Sequence, residues 1–159
     1  MIVADIMTGG VQTCRPDSNL AEAARVMWEN DCGSVPVVEA GTGAVVGIIT
    51  DRDICMAVST QNRLASEIVV GDAASTKVYT CFPETPVKEA LALMQEKQVR
   101  RLPVVNGQGT LVGILSLHDV ALNSKKGESK KEAHVAHKDV MATIKAISEP
   151  HHLEDTIDF

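Results

Sequence analysis

The chain contains one sequence unit twice, and this internal repeat constrains the fold more than any other feature. Residues 3–27, VADIMTGGVQTCRPDSNLAEAARVM, align without a gap with residues 70–94, VGDAASTKVYTCFPETPVKEALALM. The register continues through SVPVV and RLPVV. After a one-residue deletion it reaches the phrases GIITDRDI at 47–54 and GILSLHDV at 113–120. Two small homologous units are therefore predicted, and the repeated phrase must have a role in both.

The repeat also predicts the domain organisation. We expect a first unit at residues 1–60, a linker at 61–69 and a second unit at 70–123. Because a unit of about fifty residues buries too little surface to be stable alone, the two units are expected to pack their sheets together. A pair related by pseudo-twofold symmetry has a cleft between equivalent elements, one for each unit, and a binding site is expected there.

Each unit has the pattern short strand, helix, strand, strand, helix. The predicted fold class is therefore α/β (α+β), with two tandem β-α-β-β-α repeats related by pseudo-twofold symmetry and an additional C-terminal helix. Ser18 and Thr85 stand where helix N-caps are expected. The apolar stripe of the first helix is repeated at helical spacing in both units: Leu20, Ala23, Ala24 and Met27, then Val87, Ala90, Leu91 and Met94.

The residues after the repeats fall into three segments. The composition becomes charged at 124–132, which predicts a linker rather than a nucleic-acid contact because glutamates interrupt the lysines. An amphipathic helix is predicted at 133–149, covering an apolar surface of its own module or of a partner, and the tail at 150–159 is expected to be disordered. The predicted apolar face of the helix consists of Ala136, Val140, Ile144 and Ile147.

Composition argues against nucleic acid and membrane as partners. The net charge of −6 repels polyanions, and the four aromatic residues offer almost no stacking platform for single-stranded nucleic acid. No apolar run is long enough to cross a bilayer, and no basic region precedes the apolar residues of the N-terminus. We therefore predict a cytoplasmic protein.

The sequence also lacks the common signatures of catalysis and metal binding. The four cysteines form no CxxC pair, which favours buried, reduced thiols over a disulfide framework or zinc site. His134 and His137 have a spacing that can clamp a metal on one helical face, but no metal site is predicted. No nucleophile motif or metalloprotease motif occurs, so the chain is predicted not to be an enzyme.

The repeated phrase allows two interpretations that are compatible with each other. Thr50-x-x-Asp53 and Ser116-x-x-Asp119 have the spacing of a helix capping box, with aspartate in place of glutamate. A strand that leads into a helix N-terminus also offers free N–H groups to an anionic ligand, beside an aspartate able to accept hydrogen bonds from ribose hydroxyls. Gly47 and Gly113 within the phrases have a structural interpretation too, as small residues of strand interiors that another backbone approaches closely.

At this point the chain resembles the tandem cystathionine β-synthase (CBS) domain pair, or Bateman module, of the stand-alone bacterial type. The resemblance covers residues 1 to 123. It depends on three motifs that occur twice in the same order: the h-x-T starts at 11–13 and 78–80, the x-h-P-V-V strands, and the G-h-h-[ST]-x-x-D phrases. Each motif alone is weak, but their joint repetition is a specific signal.

The resemblance implies that adenosyl ligands such as AMP, ADP, ATP or S-adenosylmethionine bind between the units, with no required cofactor. Asp53 and Asp119 would hold ribose hydroxyls, while Thr50 and Ser116 would contact ribose or phosphate. The residues implied around the adenine belong to two threonines and two strand starts: Thr13, Thr80, Ser34, Val35, Pro36, Arg101, Leu102 and Pro103. Those implied near phosphate are cationic: Arg52, Arg100, Arg101 and His118.

One departure distinguishes the two implied sites. The first unit has Gly33-Ser34 where the second has Arg100-Arg101, so the first site is less cationic and unequal binding of a polyphosphate is expected.

The leading functional hypothesis is a non-catalytic regulatory module that signals through dimer contacts or an unknown protein partner. The alternative is a purely structural homodimerisation module without a ligand, and a nucleotide hydrolase ranks last. In a homodimer we expect Trp28 at the interface and the stripe Leu20, Ala24 and Met27 in the core.

Overall fold

The computed structural model describes residues 1–125 and 134–150. In the first repeat, a 3-10 helix at Val3–Asp5 precedes the other elements. They follow in the order β1 Thr8–Gly9, α1 Leu20–Glu29, β2 Ser34–Val38, β3 Val45–Thr50 and α2 Asp51–Gln61. The first repeat therefore has the predicted order of strand, helix, strand, strand, helix.

The second repeat has the same elements except for its first strand. They are α3 Val70–Ala73, α4 Val87–Lys97, β4 Arg101–Val105, β5 Leu111–Ser116 and α5 Leu117–Asn123. The counterpart of β1 is reduced to one antiparallel bridge, between Ser75 and Ile48. The two-repeat α+β fold is confirmed.

The first segment of each repeat packs on the other repeat. Strand β1 pairs with β5 of the second repeat, with Thr8 opposite Ile114, and this gives a sheet in the order β1-β5-β4. In the equivalent arrangement, Ser75 of the second repeat forms a bridge with Ile48 of β3, which belongs to the two-stranded sheet β2-β3 of the first repeat. Because each segment completes the other repeat's sheet, the two repeats are interlocked and related by pseudo-twofold symmetry.

The two hydrophobic cores show the same exchange. Val3, at the start of the first repeat, is fully buried in the core of the second repeat. Ile68 and Val70 are fully buried in the core of the first repeat. The packing units therefore differ from the sequence units 1–60 and 70–123. The predicted linker at 61–69 contains a 3-10 helix at Ala65–Glu67 and a core residue.

The repeated glycines of the sheets permit this exchange. A Cβ atom on Gly113 would lie 2.8 Å from the backbone oxygen of Thr8, and one on Gly47 would lie 3.1 Å from the backbone oxygen of Ser75. Contacts this short require the backbone to move. The predicted close backbone approach is thus confirmed for both Gly47 and Gly113.

The predicted apolar stripes form the two cores. Leu20, Ala23 and Met27 of α1 are buried, as are Val87, Ala90, Leu91 and Met94 of α4. The predicted helix caps are wrong by one residue. Asn19 caps α1 by accepting a hydrogen bond from the Glu22 N–H at 3.0 Å, and Pro86 occupies the cap position of α4. The Ser18 and Thr85 hydroxyls instead accept hydrogen bonds from N–H groups three residues earlier, in the preceding turn.

Helix α6, at His137–Ser148, is the C-terminal helix and packs against α4 and α5 of its own module. It begins later than the predicted residue 133, since Ala136 forms a bridge with Lys125 and is extended. His134 precedes the helix, so the two histidines do not share a helical face. The predicted linker at 124–132 lies mostly outside the described residues, and the tail lies outside them except for Pro150.

The apolar face of α6 is rotated from the predicted one. Ala136 and Val140 are buried and Ile147 packs against the core as expected, but Thr143 is fully buried beside them where Ile144 was expected. The Gln95 side chain of α4 donates a hydrogen bond to the Thr143 hydroxyl at 2.8 Å, which satisfies this polar residue inside the contact. Ile144 keeps 41% of its surface exposed and is therefore free to contribute to another surface.

Candidate functional site

A cavity of about 770 Å³ lies where the exchanged N-terminal segment meets both repeats. Five segments of the chain form its wall: 8–12, the turn and strand start at 30–36, Arg100 with Arg101, the end of β5 with the start of α5, and Ile144 of α6. Its volume is within the range of about 300–1,000 Å³ that is typical of small-molecule sites. The cavity therefore has the size of a nucleotide-like ligand.

Asp119 and Ser116 form a complete capping box at one wall of the cavity. The Ser116 N–H and hydroxyl donate to Oδ2 of Asp119 at 2.8 and 2.6 Å, and the Asp119 N–H donates to the Ser116 hydroxyl at 3.2 Å. Within the described part of the chain, every hydrogen bond of this carboxylate uses Oδ2. The cap thus orients the half-buried carboxylate while Oδ1 keeps its accepting capacity for a ligand.

The first repeat has the same cap without the cavity. The Thr50 N–H and hydroxyl donate to Oδ2 of Asp53 at 2.9 and 2.8 Å, and the Asp53 N–H returns a hydrogen bond at 3.1 Å. The capping interpretation of the repeated phrase is therefore confirmed in both repeats. Neither Thr50 nor Asp53 lines the large cavity or a smaller one of about 240 Å³.

Three basic residues line the large cavity: Arg100, Arg101 and His118. Arg100 and His118 are exposed, and Arg101 is half-buried. Across residues 1–125 and 134–150, the ion pairs found are Arg15–Asp17 and Lys97–Glu96, so both cavity arginines lack a carboxylate partner there. They are available to an anionic ligand.

The difference between Gly33 in the first repeat and Arg100 in the second corresponds to a close approach between the repeats. Arg101 reaches the turn at Gly33, where a Cβ atom would lie 3.8 Å from its Nη2 atom. The same Cβ would lie 3.2 Å from Oδ2 of Asp51, at the start of α2. Gly33 therefore leaves space for the guanidinium of the other repeat between the two units.

The predicted site residues separate into two groups. Those that line the large cavity are Ser34, Pro36, Arg100, Arg101, Ser116, His118 and Asp119. The others lie elsewhere: Thr13 lines the smaller cavity, Thr80 and Arg52 are exposed, Val35, Leu102 and Pro103 are buried, and Thr50 and Asp53 cap α2. The large cavity thus combines residues of the repeated phrase in the second repeat with the first residues of β2 in the first repeat.

Several cavity residues were not predicted from the sequence. Thr8, Gly9 and Gly10 reach the cavity because β1 pairs with the second repeat. The turn at 30–33 follows α1, and Ile144 comes from α6, outside the repeats. The position of Thr8 relative to Asp119 depends on the exchange, for which the sequence contains only the two close-approach glycines as a signal.

The cysteines differ sharply in their surroundings. The predicted burial is wrong for two of them: Cys32 is exposed and lines the large cavity, and Cys55 is exposed on α2. Burial raises the pKa of the Cys14 and Cys81 thiols to about 11, since the thiolate loses its hydration there. These two buried thiols are therefore structural, and the described residues contain no cluster of three or more metal-ligating side chains.

The CBS domain model matches the chain twice, at residues 3–60 and 70–125. The chain belongs to the CBS domain family. The CBS domain-containing protein YhcV of Bacillus subtilis is 36% identical over 140 residues, which cover 87% of this chain and 97% of YhcV. None of the described helices combines the length and apolarity needed to span a membrane.

Two solved CBS structures are similar in fold and carry bound ligands. CBSX2 in complex with AMP is 28% identical with a TM-score of 0.65, and the match covers 76% of this chain and 93% of CBSX2. The CBS domain pair of MJ0100, in complex with 5′-methylthioadenosine and S-adenosyl-L-methionine, is 25% identical with a TM-score of 0.67. That match covers 77% of this chain and 94% of the pair.

Proposed function

We propose that this CBS pair is a non-catalytic regulatory module that binds an adenosyl ligand in the cavity beside Asp119. The observation that carries the proposal is the half-buried Asp119 carboxylate, oriented through Oδ2 and lining a cavity of about 770 Å³ together with two unpaired arginines. The ligands of the CBSX2 and MJ0100 structures, which share the adenosine group, support this ligand class.

Each part of an adenosyl ligand has a suitable wall in the cavity. Oδ1 of Asp119 accepts hydrogen bonds from ribose hydroxyls, and charge-assisted bonds of this kind contribute about 1.5–3 kcal/mol each. Arg100, Arg101 and His118 lie where they suit a negatively charged 5′ group. The base occupies the remaining space between segment 8–12 and the strand start at Ser34 and Pro36.

The first repeat's phrase contributes a weaker site or none. Asp53 has the same cap as Asp119 but lines neither of the two cavities, and its repeat has Gly33 in place of Arg100. We therefore propose that one ligand binds per chain, with Thr50, Arg52 and Asp53 serving mainly to cap α2.

Thermal unfolding with a ligand panel tests this function. AMP, ADP, ATP, 5′-methylthioadenosine, S-adenosylmethionine and a GMP control are each added near saturation to the wild type, Asp119→Ala and Asp53→Ala. A ligand at about 100 times its Kd stabilises by about 2.7 kcal/mol, which raises Tm by about 5–10 °C for a chain of this size.

The two variants are matched because each loses the same capping hydrogen bonds. Both are therefore expected to lose about 0.5–2 kcal/mol of stability without ligand. The adenosyl-dependent rise in Tm should persist in Asp53→Ala and disappear in Asp119→Ala. An equal rise in both variants would place the ligand elsewhere.

The structural alternative has one specific observation in its favour: both capping boxes are complete without a ligand. Under that alternative, no panel member changes Tm and the two aspartates act only as caps.

We propose that the chain forms a homodimer under either function, because Trp28 is 87% exposed on α1, which is unusual for a large aromatic side chain. Light scattering should give a dimer for the wild type and a smaller mass for Trp28→Ala, and a monomeric wild type at all concentrations would refute this.

A further inference from the structure

We propose that helix α6 is part of the ligand site, with Ile144 in contact with the bound ligand, so that ligand binding and α6 docking stabilise each other. This inference rests on the proposed function. Its basis is that Ile144 lines the same cavity as Asp119, although it lies outside the two CBS matches at 3–60 and 70–125.

The side chain of Ile144 is not needed to hold α6 on the module. The docking face of α6 includes the buried Val140 and Thr143 and the partly buried Ile147, whereas Ile144 is 41% exposed. Ile144 lines the cavity together with Leu117 and Ala121 of α5, so three aliphatic side chains contribute apolar surface to its wall. A ligand that fills the cavity would cover this wall and remove the exposed surface of Ile144 from water.

The hydrogen bonds of α6 connect it to the C-terminal end of α4, which precedes the cavity arginines in the chain. Gln95 donates to the Thr143 hydroxyl at 2.8 Å, and Gln98 donates to the backbone oxygens of Ala146 and Glu149 at 3.1 and 3.3 Å. Gln98 ends α4 in the left-handed conformation, with φ of 51°, immediately before the segment that leads to Arg100. A shift of α6 would therefore move both the apolar wall and the start of β4.

These contacts make α6 responsive to ligand occupancy. A ligand that contacts Ile144 binds the docked form of α6 better than an undocked form, and by linkage it shifts the population toward docking. Ligand occupancy would then determine whether α6 is held in its docked position. Other molecules can contact its exposed outer face, which includes Met141.

The first test measures ligand affinity in full-length variants, with AMP and 5′-methylthioadenosine as probes in calorimetric titrations. Ile144→Ala removes the apolar contact and is expected to weaken binding roughly 3- to 10-fold. Met141→Ala is the matched control, since Met141 is exposed on the same helix and lines neither cavity. Its affinity should equal that of the wild type.

A second variant separates the docking of α6 from direct contact with the ligand. Gln95→Ala removes the hydrogen bond to Thr143 without changing the cavity wall, because Gln95 lines neither cavity. It is expected to weaken binding by about 2- to 5-fold, which corresponds to part of one hydrogen bond. Wild-type affinity in both Ile144→Ala and Gln95→Ala would overturn the inference.

Hydrogen exchange provides a direct readout of the coupling. Saturating probe should slow exchange of the α6 amides several-fold in the wild type, and this protection should fall in Ile144→Ala. If a probe binds, loses affinity in Asp119→Ala and leaves α6 exchange unchanged, the inference fails while the proposed function holds. If no panel member binds, the proposed function fails, and this inference fails with it.

Discussion

Replacing Gly113 by alanine tests the exchange of segments between the repeats. The added Cβ would lie 2.8 Å from the backbone oxygen of Thr8 and 3.0 Å from Sδ of Met7. The methionine can move, but the Thr8 oxygen belongs to a strand of only two residues that pairs with β5. We therefore expect β1 to be displaced, at the cost of its pairing.

The magnitude follows from two opposing effects. Overpacking of this kind costs about 1–3 kcal/mol, whereas alanine recovers about 0.4–1 kcal/mol by reducing the freedom of the unfolded chain. With both effects at the middle of their ranges, the net loss is about 1.3 kcal/mol, which lowers Tm by roughly 3–5 °C at about 2–4 °C per kcal/mol. Thermal unfolding followed by circular dichroism measures this loss.

Two other glycines provide controls for this experiment. Gly47→Ala should lower Tm less, because the corresponding contact, with the backbone oxygen of Ser75, is 3.1 Å. Gly107→Ala meets nothing within 4 Å and has no left-handed φ, so its Tm should be unchanged or slightly raised. If Gly113→Ala melted like Gly107→Ala, the close approach of β1 to β5 would be refuted.

Two further predictions concern the cysteines and a helix cap. In iodoacetamide labelling near pH 8, a saturating adenosyl ligand should protect Cys32 in the cavity wall but not the exposed Cys55, as mass spectrometry can quantify. Cys14 and Cys81 should label slowest, because a pKa of about 11 leaves roughly a thousandth of each thiol ionised, and raising the pH should accelerate them. Equal protection of Cys32 and Cys55 would argue against this cavity. Asn19→Ala should cost about 0.5–2 kcal/mol in the free energy of unfolding, since Asn19 caps α1, and an unchanged denaturation midpoint would contradict that cap.

Repetition made much of the fold predictable from the sequence. The period of the apolar residues identified α1 and α4 and their buried faces, because burial of one stripe requires that spacing. The repeated Thr-x-x-Asp and Ser-x-x-Asp phrases identified the capping boxes, which depend only on neighbours three residues apart. Both features are local, so the sequence contains all the information that they need.

The exchange of segments and the position of α6 depend on contacts between residues distant in the chain. Thr8 pairs with Ile114, and no local pattern specifies that partner. On the buried face of α6, Thr143 takes the place that was expected for Ile144, because Gln95 satisfies the Thr143 hydroxyl. The periodicity of apolar residues does not identify a buried polar residue. Ile144 consequently became available to the cavity.

A crystal structure of the chain with its tightest-binding panel ligand would show whether the cavity beside Asp119 is the binding site. We expect one ligand per chain, in the cavity, with ribose hydroxyls within about 3 Å of Oδ1 of Asp119, a normal hydrogen-bond distance. We also expect the 5′ group beside Arg100 and Arg101. A ligand bound at Asp53 instead, or ligand density outside the cavity without contact to Asp119, would contradict the proposed binding site.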